Sequence, residues 1–362
     1  MRPAARLGRA VLALALLGVP ALAPSGHTAT SGSFTKHTYP SVGAPEARDY
    51  WQYVPARRKS APQPLVVFLH GCYQTATQAA AQTRLNELAD KRGFVVVYPE
   101  QRVSAPSSAP LAEGNGIGCW NWFLPDHQER GRGEPATLAG ITQRVVQQLR
   151  LDAYRVYVGG ASAGGVMAVN LAASYPDVYA AVAVVAGCAY RSCTDVTGAL
   201  AYAAMGSRAR AVPMFVENGT ADVPNPYAQA RALVSSWLGV ADHVDGGLNG
   251  SVSRTPYKRE NRGLDTPPEP GSGDPCIHNN TWTCPGGVAG FQETYPHTVE
   301  WYADAQGCGL LESWTVHGLA HAYPGSTAGE PYSDPLGPDL TPAMYDFFRQ
   351  HTLRPHCAPL QS

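Results

Sequence analysis

Between residues 47 and 240, short apolar runs alternate with longer stretches in which apolar positions recur every three or four residues. That alternation is the pattern of a mainly parallel sheet covered by helices, so the predicted fold class is α/β. The runs 65–69, 94–98, 156–158, 181–185 and 212–216 are apolar throughout and rich in β-branched residues, which predicts strands buried on both faces. Leu138, Ile141, Val145 and Leu149 put one apolar stripe on a helix just before the Val156 run. Residues 163–174 read as a second helix, entered from the preceding strand through Gly159 and Gly160. Trp314-Thr315-Val316 predicts a last strand, and residues 341–350 a C-terminal helix. From about 245 to 295 the chain is rich in Gly, Pro and Asn and loses its periodicity, which predicts a disulfide-pinned surface insertion.

With 362 residues, 44% of them hydrophobic and 15% charged, the chain can bury a large core, and one elaborated domain over residues 30–362 is expected, with no separate substrate-binding domain. The N-terminus carries Arg2, Arg6 and Arg9, then the apolar run Ala10 to Leu17, then small residues with Pro20 and Pro24. This is the pattern of a secretory signal peptide over residues 1–29, cut after Ala21-Leu22-Ala23 or near Ala29. The run is shorter than the ~20 residues that span a bilayer, so a secreted, extracellular protein with no membrane association is expected once the signal is removed. The formal charge of −1 would then become about −4. No Lys/Arg run offers a footprint for phosphate backbones, which argues against a nucleic-acid partner.

Export makes disulfides the default state of the eight cysteines. Cys188 with Cys193 and Cys276 with Cys284 would close small loops, and Cys72 with Cys119 and Cys308 with Cys357 would staple distant segments. This is one pairing among roughly a hundred. No Cys-x-x-Cys pair is present, and the His317/His321 pair has Gly318 where a zinc protease has its glutamate, so no metal and no cofactor is expected.

The chemistry begins at Gly160-Ala161-Ser162-Ala163-Gly164, a Gly-x-Ser-x-Gly pentapeptide between a strand and a helix. In such an elbow the small residues let the backbone turn sharply enough to lift the serine above the sheet. A serine hydroxyl is a poor nucleophile at neutral pH and needs a base, which in turn needs an acceptor behind it. His321, in a loop beyond the Val316 strand, is the expected base, with His317 a rival better suited to a structural role. Asp222, following the 212–216 strand through Asn218-Gly219-Thr220, is the expected acid; Asp242, Asp245 and Asp304 are alternatives in polar segments. The oxyanion would be held by the amides of Ala163 and of Cys72, in the glycine-containing loop His70-Gly71-Cys72. The aromatic cluster Cys119-Trp120-Asn121-Trp122-Phe123 is either cleft wall or core; Tyr73, Trp120, Trp122, Trp282 and Tyr323 are the candidate substrate-binding aromatics.

Taken in order, these five motifs make the chain resemble the poly(3-hydroxybutyrate) depolymerase family over about residues 47–351. His70 ahead of the serine resembles the type 1 catalytic domain. Near the base the family's usual Gly-His-Ala-Trp stands here as Ala320-His321-Ala322-Tyr323. The resemblance implies an α/β-hydrolase fold and hydrolysis of a hydroxy-acid polyester, its oligomers or related esters. Acetylxylan and feruloyl esterases are related alternatives, and a non-catalytic binding module with a hydrolase fold is the alternative of another class.

Overall fold

The computed structural model describes residues 32–42, 47–56, 61–103, 115–246, 251–263, 294–304 and 306–354. The chain runs β1 (Ser33–Tyr39), β2 (Arg48–Val54), β3 (Leu65–Leu69), α1 (Ala76–Thr83), α2 (Leu85–Arg92), β4 (Val95–Pro99), α3 (Gly133–Leu149), β5 (Val156–Ala161) and α4 (Ala163–Ser174). It continues through β6 (Ala181–Val185), the single turn α5 (Tyr190–Cys193), α6 (Ala199–Met205), β7 (Met214–Gly219), α7 (Tyr227–Val244), β8 (Lys258–Arg262), β9 (His297–Ala303) and β10 (Gly309–Val316). The two-residue strands β11 (Tyr323–Pro324) and β12 (Ser333–Asp334) and the helix α8 (Leu340–Phe348) complete it.

Ten strands form one sheet in the order β1-β2-β4-β3-β5-β6-β7-β10-β9-β8. The six from β4 to β10 are parallel, and antiparallel strands flank them on both sides. Side chains alternate across each strand. Leu65, Val67 and Leu69 pack with α3, α4, α6 and α7 on one face, while Val66 and Phe68 pack with α1, α2 and α8 on the other. Both faces are covered, which is why the central strands are apolar at every position.

Four strands lie where the sequence predicted none. The segment from 245 to 295 was expected to be irregular, yet Lys258–Arg262 forms the edge strand β8, paired antiparallel with β9. Its residues are largely exposed, and Lys258, Arg259, Glu260 and Arg262 supply the charge that keeps a free sheet edge from pairing with another chain. The strands β1, β2 and β9 also lie outside the apolar runs, because these antiparallel strands at the ends of the sheet interleave polar with apolar residues.

The disulfides Cys72–Cys119 and Cys188–Cys193 are formed, and Cys308 is disulfide-bonded. Cys276, Cys284, Cys357, Trp282 and the N-terminal residues 1–29 lie outside the described residues. Among the described residues no helix is long and apolar enough to cross a membrane.

Candidate active site

Ser162 sits at the junction of β5 and α4 with φ 53° and ψ −122°, a conformation costly for a residue with a side chain. Its neighbours explain how the strain is held. A Cβ on Gly160 would stand 2.4 Å from the backbone of Gly164, and one on Gly164 would stand 2.2 Å from the carbonyl oxygen of Leu69. Only glycine lets α4 start this close to β5 and β3. The Ser162 N–H donates to Val185 O at 2.8 Å, tying the turn to the next strand.

His321 Nε2 lies 3.0 Å from Ser162 Oγ, and His321 Nδ1 lies 2.8 Å from Asp222 Oδ2. Asp222 is buried; its Oδ1 accepts the Asn225 N–H at 2.8 Å, and Oδ2 also receives the Asn218 side-chain amide at 3.3 Å. The loops bearing acid and base are laced together. Thr220 N–H donates to Val316 O, Ala221 N–H to Leu319 O, and Gly318 N–H to Thr220 Oγ1. Gly219 is required at this crossing, since a Cβ there would meet Leu319 O at 2.1 Å. With carboxylate, imidazole and hydroxyl in line, the arrangement can take the serine proton on Nε2 while Asp222 holds the Nδ1–H tautomer.

Above the serine, the loop after β3 presents Cys72. The Gly71 N–H is used by Gln74 Oε1 at 2.9 Å and the Tyr73 N–H by Ile117 O at 2.8 Å, whereas the Cys72 N–H finds no acceptor among the described residues. Ala163 opens α4, so its N–H has no carbonyl one turn behind it. An oxyanion needs donors left open in this way. His70 is fully buried: its Nε2 accepts the Gln101 N–H, leaving Nδ1–H to donate to Gly71 O at 2.7 Å. Burial pushes its pKa down to about 4, so it is neutral and acts as a strut for the loop.

These groups open into a cleft of about 230 Å³ lined by apolar and uncharged polar residues, among them Tyr73, Ile117, Val185, Pro224 and Tyr332. A family model described as Esterase PHB depolymerase matches residues 48–244. This chain belongs to that family.

Among curated relatives, poly(3-hydroxyalkanoate) depolymerase C of Paucimonas lemoignei is 30% identical over 72% of this chain and 55% of its own length. Feruloyl esterase B of Neurospora crassa is 29% identical over 54% of this chain and 63% of its own. The chain thus spans about half to three-fifths of the length of these relatives. The solved acetyl xylan esterase from Aspergillus awamori, 20% identical, superposes with a TM-score of 0.55 over 80% of this chain and 94% of that one, and shows the shared α/β-hydrolase fold.

Within this member of the family the aromatic candidates separate. Tyr73 stands at the cleft, 63% exposed. Tyr323 lines it while its hydroxyl turns into the core and bonds Thr341 Oγ1 at 2.8 Å. Trp120 corrects the cleft assignment: it is fully buried, and its indole N–H donates to His70 O at 3.0 Å. Trp122 is part-buried against the core and is not among the lining residues. The Cys119–Phe123 stretch is a scaffold. Gln101 bonds Cys119 O, Glu134 Oε2 accepts the Asn121 N–H at 2.8 Å, and the buried Arg48 guanidinium lies 3.5 Å from Glu134. Through Cys119 that network reaches the disulfide to Cys72. His317 is buried on the sheet against Thr298 Oγ1 at 2.9 Å, while Asp242 pairs with Arg254 and Asp304 accepts the amides of its own turn.

Sequence reasoning missed Gln74, Gln82, Ile117, Pro224 and Tyr332, which line the cleft from segments with no motif. It also missed Glu217, fully buried on β7, with neither carboxyl oxygen hydrogen-bonded among the described residues. Burial first, and the charge of Asp222 second, push its pKa well above 4.5, so the folded protein keeps this proton to a higher pH than the unfolded chain does. Stability must therefore fall as pH rises from about 4.5 toward the folded value. Glu217→Gln abolishes that titration. Melting curves of the two proteins are expected to coincide near pH 4 and to separate by several degrees toward pH 8, with the variant the more stable; parallel curves at every pH would refute the buried, protonated carboxyl.

Proposed function

We propose that this chain is a secreted serine esterase that cleaves hydroxy-acid polyesters, or oligomers of them, through an acyl-enzyme intermediate. Ser162 Oγ attacks the ester carbonyl as His321 Nε2 takes its proton, and the oxyanion rests on the amides of Cys72 and Ala163. His321 returns the proton to the leaving alcohol, and a water activated by the same nitrogen releases the acid. Asp222 keeps the imidazole oriented throughout.

The observation that carries the polyester reading is the chemistry of the cleft and its rim. Apart from His321, no lining residue among the described residues is acidic or basic. Tyr73, Ile117, Tyr332 and, next to Pro224, Val223 stand 42–83% exposed. A polyester backbone has ester acceptors and alkyl groups but no interior hydrogen-bond donors, so such a surface suits it, and exposed apolar residues around a site mark contact with an apolar partner. The relative from Paucimonas lemoignei bears a poly(3-hydroxyalkanoate) depolymerase name, which supports the same reading. Disulfides fit an oxidising compartment outside the cell.

The second reading, a carbohydrate esterase, draws on the acetylxylan and feruloyl esterase names of other relatives. Acid release from amorphous poly(3-hydroxybutyrate), acetylated xylan and feruloylated xylan separates the two. Ser162-dependent release of hydroxybutyrate units is expected. Release from xylan alone would move the protein to the carbohydrate esterases, and silence on every ester would end the enzyme reading.

A further inference from the structure

Two glutamines flank the oxyanion loop, and their amides are used differently. The Gln74 side chain is satisfied at both ends: Oε1 accepts the Gly71 N–H at 2.9 Å, and Nε2 donates to Pro331 O at 2.9 Å. Gln82, on α1, donates from Nε2 to Pro331 O at 3.0 Å and to Tyr332 O at 2.8 Å. Its Oε1 is buried and has no partner among the described residues. Turning the amide over would set that oxygen against two carbonyl oxygens, so the two donated bonds fix the orientation and leave the acceptor as the unused group.

The surroundings hold Gln82 in place. A capping box anchors α1, with Thr75 Oγ1 accepting the Gln78 N–H and Gln78 Oε1 accepting the Thr75 N–H. The loop that Gln82 grips carries Tyr332 at φ 55°, with its ring edge-on to His321 at 6.2 Å between centroids. Gln82 is 1% exposed, yet it lines the cleft that contains Ser162. A buried acceptor without a donor carries a cost, and a ligand that brings the donor relieves it.

Resting on the esterase reading of Ser162, we propose that Gln82 Oε1 accepts a hydrogen bond from a free hydroxyl on the acyl portion of the substrate, so that the site selects hydroxyacyl esters over plain acyl esters. In a hydroxy-acid polyester that free hydroxyl exists only on the terminal unit. Recognition by Gln82 therefore favours cleavage at the hydroxyl end of a chain and the processing of short oligomers.

Three chromogenic esters with one leaving group test this: 4-nitrophenyl butyrate, 3-hydroxybutyrate and 3-methoxybutyrate. The methoxy ester keeps the oxygen but has no proton to donate. Wild-type kcat/KM is expected to be about tenfold higher for the hydroxy ester than for either of the others, the scale of one net neutral hydrogen bond. In Gln82→Met the ratio is expected to fall to about one, whatever the variant loses on all three substrates through the loosened Tyr332 loop. A wild type that treats the hydroxy and methoxy esters alike, or a Gln82→Met protein that keeps the full preference, would overturn the assignment. Since the wild-type comparison needs no variant to fold, it decides by itself. No Ser162-dependent cleavage of any of the three would instead count against the esterase reading.

Discussion

Ser162→Ala is expected to lower kcat on a soluble ester by about 10⁶, and Asp222→Asn by about 10⁴, with both proteins folded. The difference in size follows from what each atom does. Without Oγ there is no nucleophile, and what remains is the contribution of the oxyanion amides and substrate binding. Asp222→Asn keeps the nucleophile and the base but changes the hydrogen-bond sense at a crowded position. The carboxylate accepts from His321, from the Asn225 N–H and from the Asn218 amide. A carboxamide has one oxygen for these three donors and must turn its NH₂ toward at least one of them. If it faces His321 Nδ1, the ring is driven to the tautomer with its proton on Nε2, where it can no longer take one from serine. Burst and steady-state kinetics on a chromogenic ester measure both effects. An Asp222→Asn enzyme within tenfold of wild type would mean that Asp222 does not orient the base.

Gly164→Ala should disable the site by geometry rather than by chemistry. The added carbon would fall 2.2 Å from Leu69 O and 2.6 Å from His70 O, both backbone atoms that no side-chain movement can clear. The start of α4 must move away from the end of β3, which displaces Ser162 and the Ala163 amide from the Cys72 loop. A shift of about 1 Å in a reacting group can cost 10²-fold in rate, and the overpacking itself about 3 kcal/mol or more. The expected outcome is a melting temperature lowered by several degrees and kcat reduced at least ~10²-fold. Gly246→Ala is the contrast: φ there is positive, 71°, which Gly164 does not share, and among the described residues nothing lies within 4 Å of the added carbon. It should cost about 1 kcal/mol of backbone strain and leave turnover unchanged. Equal losses in the two variants would show that the close approach to Leu69 and His70 does not set the cost at the elbow.

What holds the candidate site together is a set of loop-to-loop bonds between segments far apart in the chain. The base and acid loops, 99 residues apart, are tied by backbone amides and the Thr220 hydroxyl. The Gly71–Cys72 loop is braced by buried His70, by Trp120 and by a disulfide spanning 47 residues. Side chains with no chemistry of their own thus set the position of those that have it.

The central strands and the elbow were legible in the sequence because their causes are local. A strand buried on both faces must be apolar at every position, so 65–69 and 181–185 stand out, and a helix starting against a strand leaves room only for glycine at 160 and 164. The chain order of a serine, then an acid, then a histidine, each after a strand, singled out Ser162, Asp222 and His321; their distances come from the fold. The antiparallel strands β1, β2, β8 and β9 at the two ends of the sheet escaped because they mix polar with apolar residues and resemble loops. Trp120 was ambiguous for a similar reason: a tryptophan beside polar residues reads alike in a cleft wall and in a core, and only the packing against His70 and Arg48 places it in the core. Gln82 and Glu217 were beyond reach altogether, since an unpaired acceptor and an unpaired carboxyl are defined by which groups fail to meet them, and that is decided only when distant segments close around them.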